Sequence, residues 1–162
     1  MFDLLILGGQ VVDGTGSPGY RADVGIEGER VTALGDLATT ETRRVIDATG
    51  LTVTPGFIDT HAHSDGALLV DPQHASALRQ GVTTVILGQD GLSYAPLSGD
   101  NYRVNRRYLA GLLGKPPIDL DMSSVSSFRS HFHRKVAVNT AYCVPHGAVR
   151  LEAVGFRDVP LR

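Results

Sequence analysis

The chain has 162 residues, enough for one domain or for a small domain plus part of another. Hydrophobic residues make up 42% and charged residues 20%, a balance that supports a packed core and excludes a disordered chain. With 15 basic and 17 acidic residues the formal charge is -2, which leaves no basic surface for nucleic acid and no cationic face for a membrane.

The start, Met1-Phe2-Asp3-Leu4-Leu5-Ile6-Leu7, is apolar but too short for a membrane span, and because it carries Asp3 and no basic residue a signal peptide is not expected. With Cys143 as the only cysteine, no intrachain disulfide forms, so a cytoplasmic protein in a reducing compartment is expected. Residues 1–54 read as short strands between turns: 4–7 ended by Gly8-Gly9, Val11-Val12 before Asp13-Gly14, 23–27, 30–34 after Gly28-Glu29, 45–47, and 51–54 after Thr49-Gly50. Brief β-rich elements of this kind predict a small β-sandwich domain.

At Pro55-Gly56 the pattern changes. Phe57-Ile58-Asp59 is an apolar strand that runs into His61, His63 and Asp65. Asp71 has the character of an N-cap and Pro72 that of a first helical residue, so a helix through Ala75 and Leu78 is predicted, closed by Gly81. The β-branched run 82–87 is a buried strand ended by Gly88-Gln89-Asp90-Gly91. Helices are predicted over about 103–113 and 123–133 from apolar residues at helical spacing, and 136–144 reads as a third buried strand with Cys143 inside it. Pro145-His146-Gly147 then marks a polar end with no helix after it.

Continuous apolar strands alternating with helices predict an α/β fold with parallel pairing. Residues 55–162 supply only the first three strands of a (β/α)8 TIM-like barrel, which takes eight strands and about 250 residues. The chain is therefore expected to be truncated, with the rest of its barrel absent.

His61-Ala62-His63 follows directly on the first of these strands, where side chains at i and i+2 point to one side and two imidazoles can meet at one ion. A bare His-x-His also occurs as two surface loop histidines. The surrounding stretch, Leu51-Thr52-Val53-Thr54-Pro55-Gly56-Phe57-Ile58-Asp59-Thr60-His61-Ala62-His63-Ser64-Asp65, closely resembles the first barrel strand of the amidohydrolase superfamily. Gln80-Gly81-Val82-Thr83-Thr84-Val85-Ile86-Leu87-Gly88 and Val144-Pro145-His146-Gly147-Ala148-Val149-Arg150 resemble its N-acyl-D-amino-acid deacylase (D-aminoacylase) branch.

That resemblance implies a small β-domain before a metal-bearing barrel, one or two divalent ions such as zinc, and hydrolysis of a linear amide in a small N-acyl amino acid by metal-activated water. It makes His61 and His63 ligands of one metal. D-aminoacylases typically have Gly-Asn-Cys-Gly after the second strand, with a metal-binding cysteine. Gly88-Gln89-Asp90-Gly91 stands there in this chain, so Asp90 is either a carboxylate ligand in its place or a turn-forming residue. Two more histidines and the catalytic aspartate of such enzymes belong to later strands, so the general base is expected beyond Arg162 and the chain alone is expected to be inactive.

Other candidates divide similarly. His146, at the end of the third strand, either contacts substrate or stabilises a turn. Asp65 either orients a ligand histidine or solvates its loop. Ser93 and Tyr94 are weak candidates for the mouth of the site. His131 and His133 are predicted to be solvated helix residues without a metal role, because positions two apart on a helix face different ways. His74 has no visible partner, and Cys143 is expected to pack. The alternative readings are a cyclic amidase of dihydroorotase or hydantoinase type, and a non-catalytic truncated or binding protein.

Overall fold

In the computed structural model, which describes residues 1–160, the backbone divides into two units between Pro55 and Gly56. In the first unit, β1 (Leu4–Leu7) pairs antiparallel with β4 (Asp23–Glu27) and parallel with β6 (Val45–Asp47). The hairpin partner of β4 is β5 (Arg30–Gly35), which completes a four-stranded sheet. Gly28, at φ +58, makes the turn between them and donates its N–H to Asp3. A second, three-stranded sheet contains β2 (Gln10–Val11), β3 (Tyr20–Arg21) and β7 (Thr52–Val53). Leu5, Val11 and Val24 are the buried apolar side chains of these strands.

A buried carboxylate holds this unit's loops. Asp23 accepts from the Gly8 N–H at 2.8 Å and from the Leu37 N–H at 2.9 Å. These two donors hold its pKa below the ordinary carboxylate value.

The second unit is α/β. β8 (Phe57–Asp59), β9 (Val82–Leu87) and β10 (Asn139–Tyr142) are parallel, with β9 in the middle. The central strand buries Val85 and Leu87, whereas the edge strand β8 leaves Phe57 and Ile58 exposed. Leu68, Tyr94, Tyr102, Leu113, Met122 and Phe128 extend the core outward from β9. No helix among the described residues is long and apolar enough to cross a membrane.

Helix boundaries depart from expectation for local reasons. Between β8 and β9 there are two single-turn helices, α1 (Ala67–Val70) and α2 (Ala75–Leu78). Asp71 closes α1 in non-helical backbone, and its carboxylate accepts from the Gln73 N–H at 3.3 Å in a turn, because the chain becomes helical again only at Ala75. His74 starts α2 in the left-handed region at φ 44, and Gly81 ends it at φ +83. The predicted helix at 103–113 starts earlier and breaks at Leu109, giving α3 (Gly99–Tyr108) and α4 (Ala110–Leu113). The helix expected over 123–133 is only α5 (Val125–Ser130), capped by the Ser124 hydroxyl, which accepts from the Ser127 N–H.

Two further expectations are corrected. The third strand is short and half-exposed because it pairs on one side only, and Cys143 lies beyond its end on the surface. A helix does follow it: α6 (His146–Val154), with Pro145 in extended backbone at its start and Ala148 and Leu151 buried. Gly147 disguises this helix in the sequence. A Cβ there would lie 2.5 Å from the Gly91 carbonyl oxygen, so close packing demands the glycine.

Asp23→Ala leaves the Gly8 and Leu37 N–H groups without their acceptor and is expected to lower unfolding free energy by about 1–2 kcal/mol in urea titrations. Because the folded pKa of Asp23 is lowered, its contribution is present above the unfolded carboxylate value and disappears as pH falls through the folded one. The difference between wild type and variant should therefore shrink on acidification. A constant difference from pH 7 downward would contradict the assignment.

Candidate metal centre

β8 ends at Asp59, whose carboxylate accepts from the His61 N–H at 3.1 Å and bends the chain. The alternation of the strand persists one step further. Ala62 donates its N–H to the Ile86 carbonyl and is buried. Its neighbours His61 and His63 stand away from the core. The second loop carries Asp90 in a short 3-10 turn, Gln89–Gly91, at φ 55 between left-handed Gly88 and Gly91.

These three side chains converge. His61 Nε2 lies 3.0 Å and His63 Nε2 3.1 Å from the same Asp90 oxygen, Oδ2. The two rings meet edge to face with centroids 5.3 Å apart. One donor atom from each of the three residues lies within 4.8 Å of the others. The hydrogen bond from His61, reinforced by the neighbouring imidazoles, holds the Asp90 pKa below the ordinary carboxylate value. Two imidazole nitrogens and a carboxylate oxygen are a donor set that suits zinc and similar divalent ions.

The loops that bring them together are tied to each other. The Gln89 side-chain amide donates to the Thr60 carbonyl at 3.0 Å and to the Ile86 carbonyl at 3.2 Å. Asp65 is fully buried, and its Oδ1 accepts from the Gly88 N–H at 3.1 Å and from the Ser93 hydroxyl at 2.5 Å. Burial pushes its pKa up to about 6 against these hydrogen bonds. Ser93 is fixed in turn by Asn105, which donates to its carbonyl. Gln89 carries no signal in the sequence beyond its position. Asp65 was legible as a carboxylate two residues past His63.

The remaining candidates lie elsewhere. Tyr94 is buried, with its hydroxyl donating to the Gly114 carbonyl, and Ser93 is buried with its hydroxyl on Asp65. His146 is exposed as the first residue of α6, beside Gly91 but outside the three-residue cluster. The His131 ring donates to the Asp121 carbonyl at 2.8 Å, and His133 is exposed in a turn past the end of α5. A cavity of about 430 Å³ between the second-strand loop, α3 and α6 includes Gly91 and Ser93 but none of the three converging side chains.

Residues 44–153 match the model of the amidohydrolase family, and the chain belongs to that family. It is 42% identical to N-acyl-D-glutamate deacylase and 38% identical to D-aminoacylase, both from Alcaligenes xylosoxydans xylosoxydans, over 94% and 92% of its length. It spans about 30% of the length of either relative. Among solved structures, N-acyl-D-glutamate deacylase from Bordetella bronchiseptica is complexed with zinc and a phosphonate inhibitor that mimics the tetrahedral intermediate. It matches with a TM-score of 0.81 at 33% identity, covering 94% of this chain and 31% of that one.

The second-strand loop is built on Gly88, where φ is +77 and a Cβ would lie 1.9 Å from the Cys143 carbonyl oxygen. Gly88→Ala is therefore expected to cost about 3 kcal/mol or more in chemical denaturation, combining left-handed strain with a backbone clash. Gly50→Ala is the control, because its φ is also +77 and nothing lies within 4 Å of the added Cβ. It should cost about 1 kcal/mol. Equal losses in the two variants would contradict the close packing of this loop.

Proposed function

We propose that this chain carries the opening part of the metal centre of an N-acyl-D-amino-acid deacylase, with His61, His63 and Asp90 as ligands of zinc. The single observation that carries this reading is the convergence of two Nε2 atoms and one carboxylate oxygen, from adjacent parallel strand ends, on one point. The residues would form the first three strands of a TIM-like barrel behind a small β-domain, and active sites of such barrels lie at this end of the strands. Deacylation of a linear N-acyl amino acid is preferred to cyclic-amide hydrolysis because the relatives matched over more than nine-tenths of this chain are named deacylases.

Bound here, zinc supplies Lewis-acid polarisation of the scissile carbonyl and acidifies the attacking water. His61 and His63 hold the ion as neutral donors, and Asp90 offsets part of its charge. Gln89, through Thr60 and Ile86, keeps the two ligand loops at a fixed separation. His146, exposed at the start of α6 next to Gly91, would be the candidate for substrate contact from this chain. The general base and the remaining ligands would belong to later strands of such a barrel. Residues 1–162 alone are therefore expected to bind zinc without turning over an N-acetyl-D-amino acid.

The test compares zinc binding by wild type, Asp90→Ala, Asp90→Asn and Asp90→Cys. Alanine and asparagine should bind zinc roughly tenfold or more weakly, at least as large a loss as removing a group that merely supports a ligand. Cysteine should retain part of the affinity, because thiolate is also a zinc ligand. His131→Gln with His133→Gln should bind as wild type does. Equal affinity in all Asp90 variants would remove Asp90 from the site, and a loss in the His131/His133 variant would move the site elsewhere.

A further inference from the structure

We propose that Asp65 is a positioning residue for this centre, accepting a hydrogen bond from His63 Nδ1 while it anchors the loop that bears Asp90. The inference rests on the zinc reading above. Among the described residues, the buried side-chain polar atoms without a hydrogen-bond partner are Asp65 Oδ2 and His63 Nδ1, two residues apart in the chain. The other Asp65 oxygen is occupied by donors from the second loop, Gly88 N–H and Ser93 Oγ. Asp65 thus has one oxygen committed to the Asp90 loop and one buried without a partner, and it lies close enough for the His63 ring to act on its carboxyl.

When Nε2 of a neutral imidazole binds a metal, the ring proton resides on Nδ1 and needs an acceptor. A buried Nδ1–H cannot turn to bulk water for one. Asp65 Oδ2 has a free lone pair and is held by a side chain that cannot drift, because its partner oxygen has two donors. One carboxylate would then fix the ring plane of one ligand and the backbone of another. A role limited to tying the loops together would use Oδ1 alone, and that difference is measurable.

Asp65→Asn separates the two roles. Its carbonyl oxygen still accepts from Gly88 and Ser93, whereas its NH2 cannot accept from Nδ1–H. Zinc affinity is measured by competition with a chromophoric chelator for wild type, Asp65→Asn, His63→Ala and the double variant, alongside melting of the metal-free proteins. Asp65→Asn is expected to melt like wild type and to bind zinc roughly 10–100-fold more weakly. It should cause no further loss in the His63→Ala background. Unchanged affinity, or the same loss with and without His63, would overturn the inference.

A second measurement uses wild type alone, so it stands even if Asp65→Asn does not fold. Long-range proton–nitrogen NMR of the zinc-loaded chain should show a His63 Nδ1–H protected from exchange. A rapidly exchanging Nδ1–H in a chain that binds zinc would overturn the role of Asp65 alone. A wild-type chain that binds no zinc would overturn the metal reading, and the Asp65 role with it.

Discussion

β8 and β9 run parallel with Ile58 beside Thr84 and Asp59 beside Val85, after a one-residue shift at Phe57. In this register β9 runs two residues past the end of β8, and the Ala62 N–H, donating to the Ile86 carbonyl, carries the first loop along beside it. Residues 27 and 29 positions apart in the chain thereby share one oxygen atom. A strand slip of one residue would turn every side chain to the opposite face and separate the histidines from Asp90. The register is secured by the burial of β9, whose Val85 and Leu87 are each only 1% exposed. The convergence of the three side chains therefore depends on apolar packing some distance beneath them.

The polar connections above that packing are few and specific. Asp65 and Gln89 cross between the first and second loops from opposite directions, one through its carboxylate and one through its amide. Asn105 reaches from α3 to hold Ser93. Burying Asp65 is unfavourable, and its two donors offset only part of that cost, which is why its pKa remains raised. Asp90 is also held in sparsely populated backbone, between two glycines whose own left-handed conformations carry the chain around it. Strain and a buried carboxylate thus flank the point where the three side chains meet, as is usual where function constrains a fold.

The parts of this arrangement legible in the sequence were those written in local chemistry. The strands at 4–7 and 82–87 were plain from apolar runs ended by glycine and that at 57–59 from the apolar run after Pro55-Gly56, and the α/β character of the second unit followed from alternation with helices. The approach of His61 to His63 was readable from their spacing, whereas Asp90 entered only through the family resemblance, as either a ligand or a turn residue. What escaped depended on contacts between distant residues. Gly147 conceals the start of α6 because its absent side chain makes room for Gly91, fifty-odd residues earlier. Cys143 belongs to an apolar run, yet it is exposed because β10 pairs with β9 alone. Asp71 keeps its capping chemistry, accepting from the Gln73 N–H, but the left-handed backbone at His74 delays the next helix to Ala75. The bridge made by Gln89 has no local signature at all.

The central claim is that His61, His63 and Asp90 bind one zinc ion through two imidazoles and a carboxylate. Zinc K-edge X-ray absorption on the chain loaded with one equivalent of zinc reads this directly. The expected spectrum has two imidazole ligands, with their outer-ring scattering, and oxygen near 2.0–2.1 Å completing the shell. In Asp90→Cys a single sulfur at about 2.3 Å should replace one oxygen while both imidazoles remain. A wild-type spectrum containing sulfur from Cys143, or fewer than two imidazoles, would contradict the account.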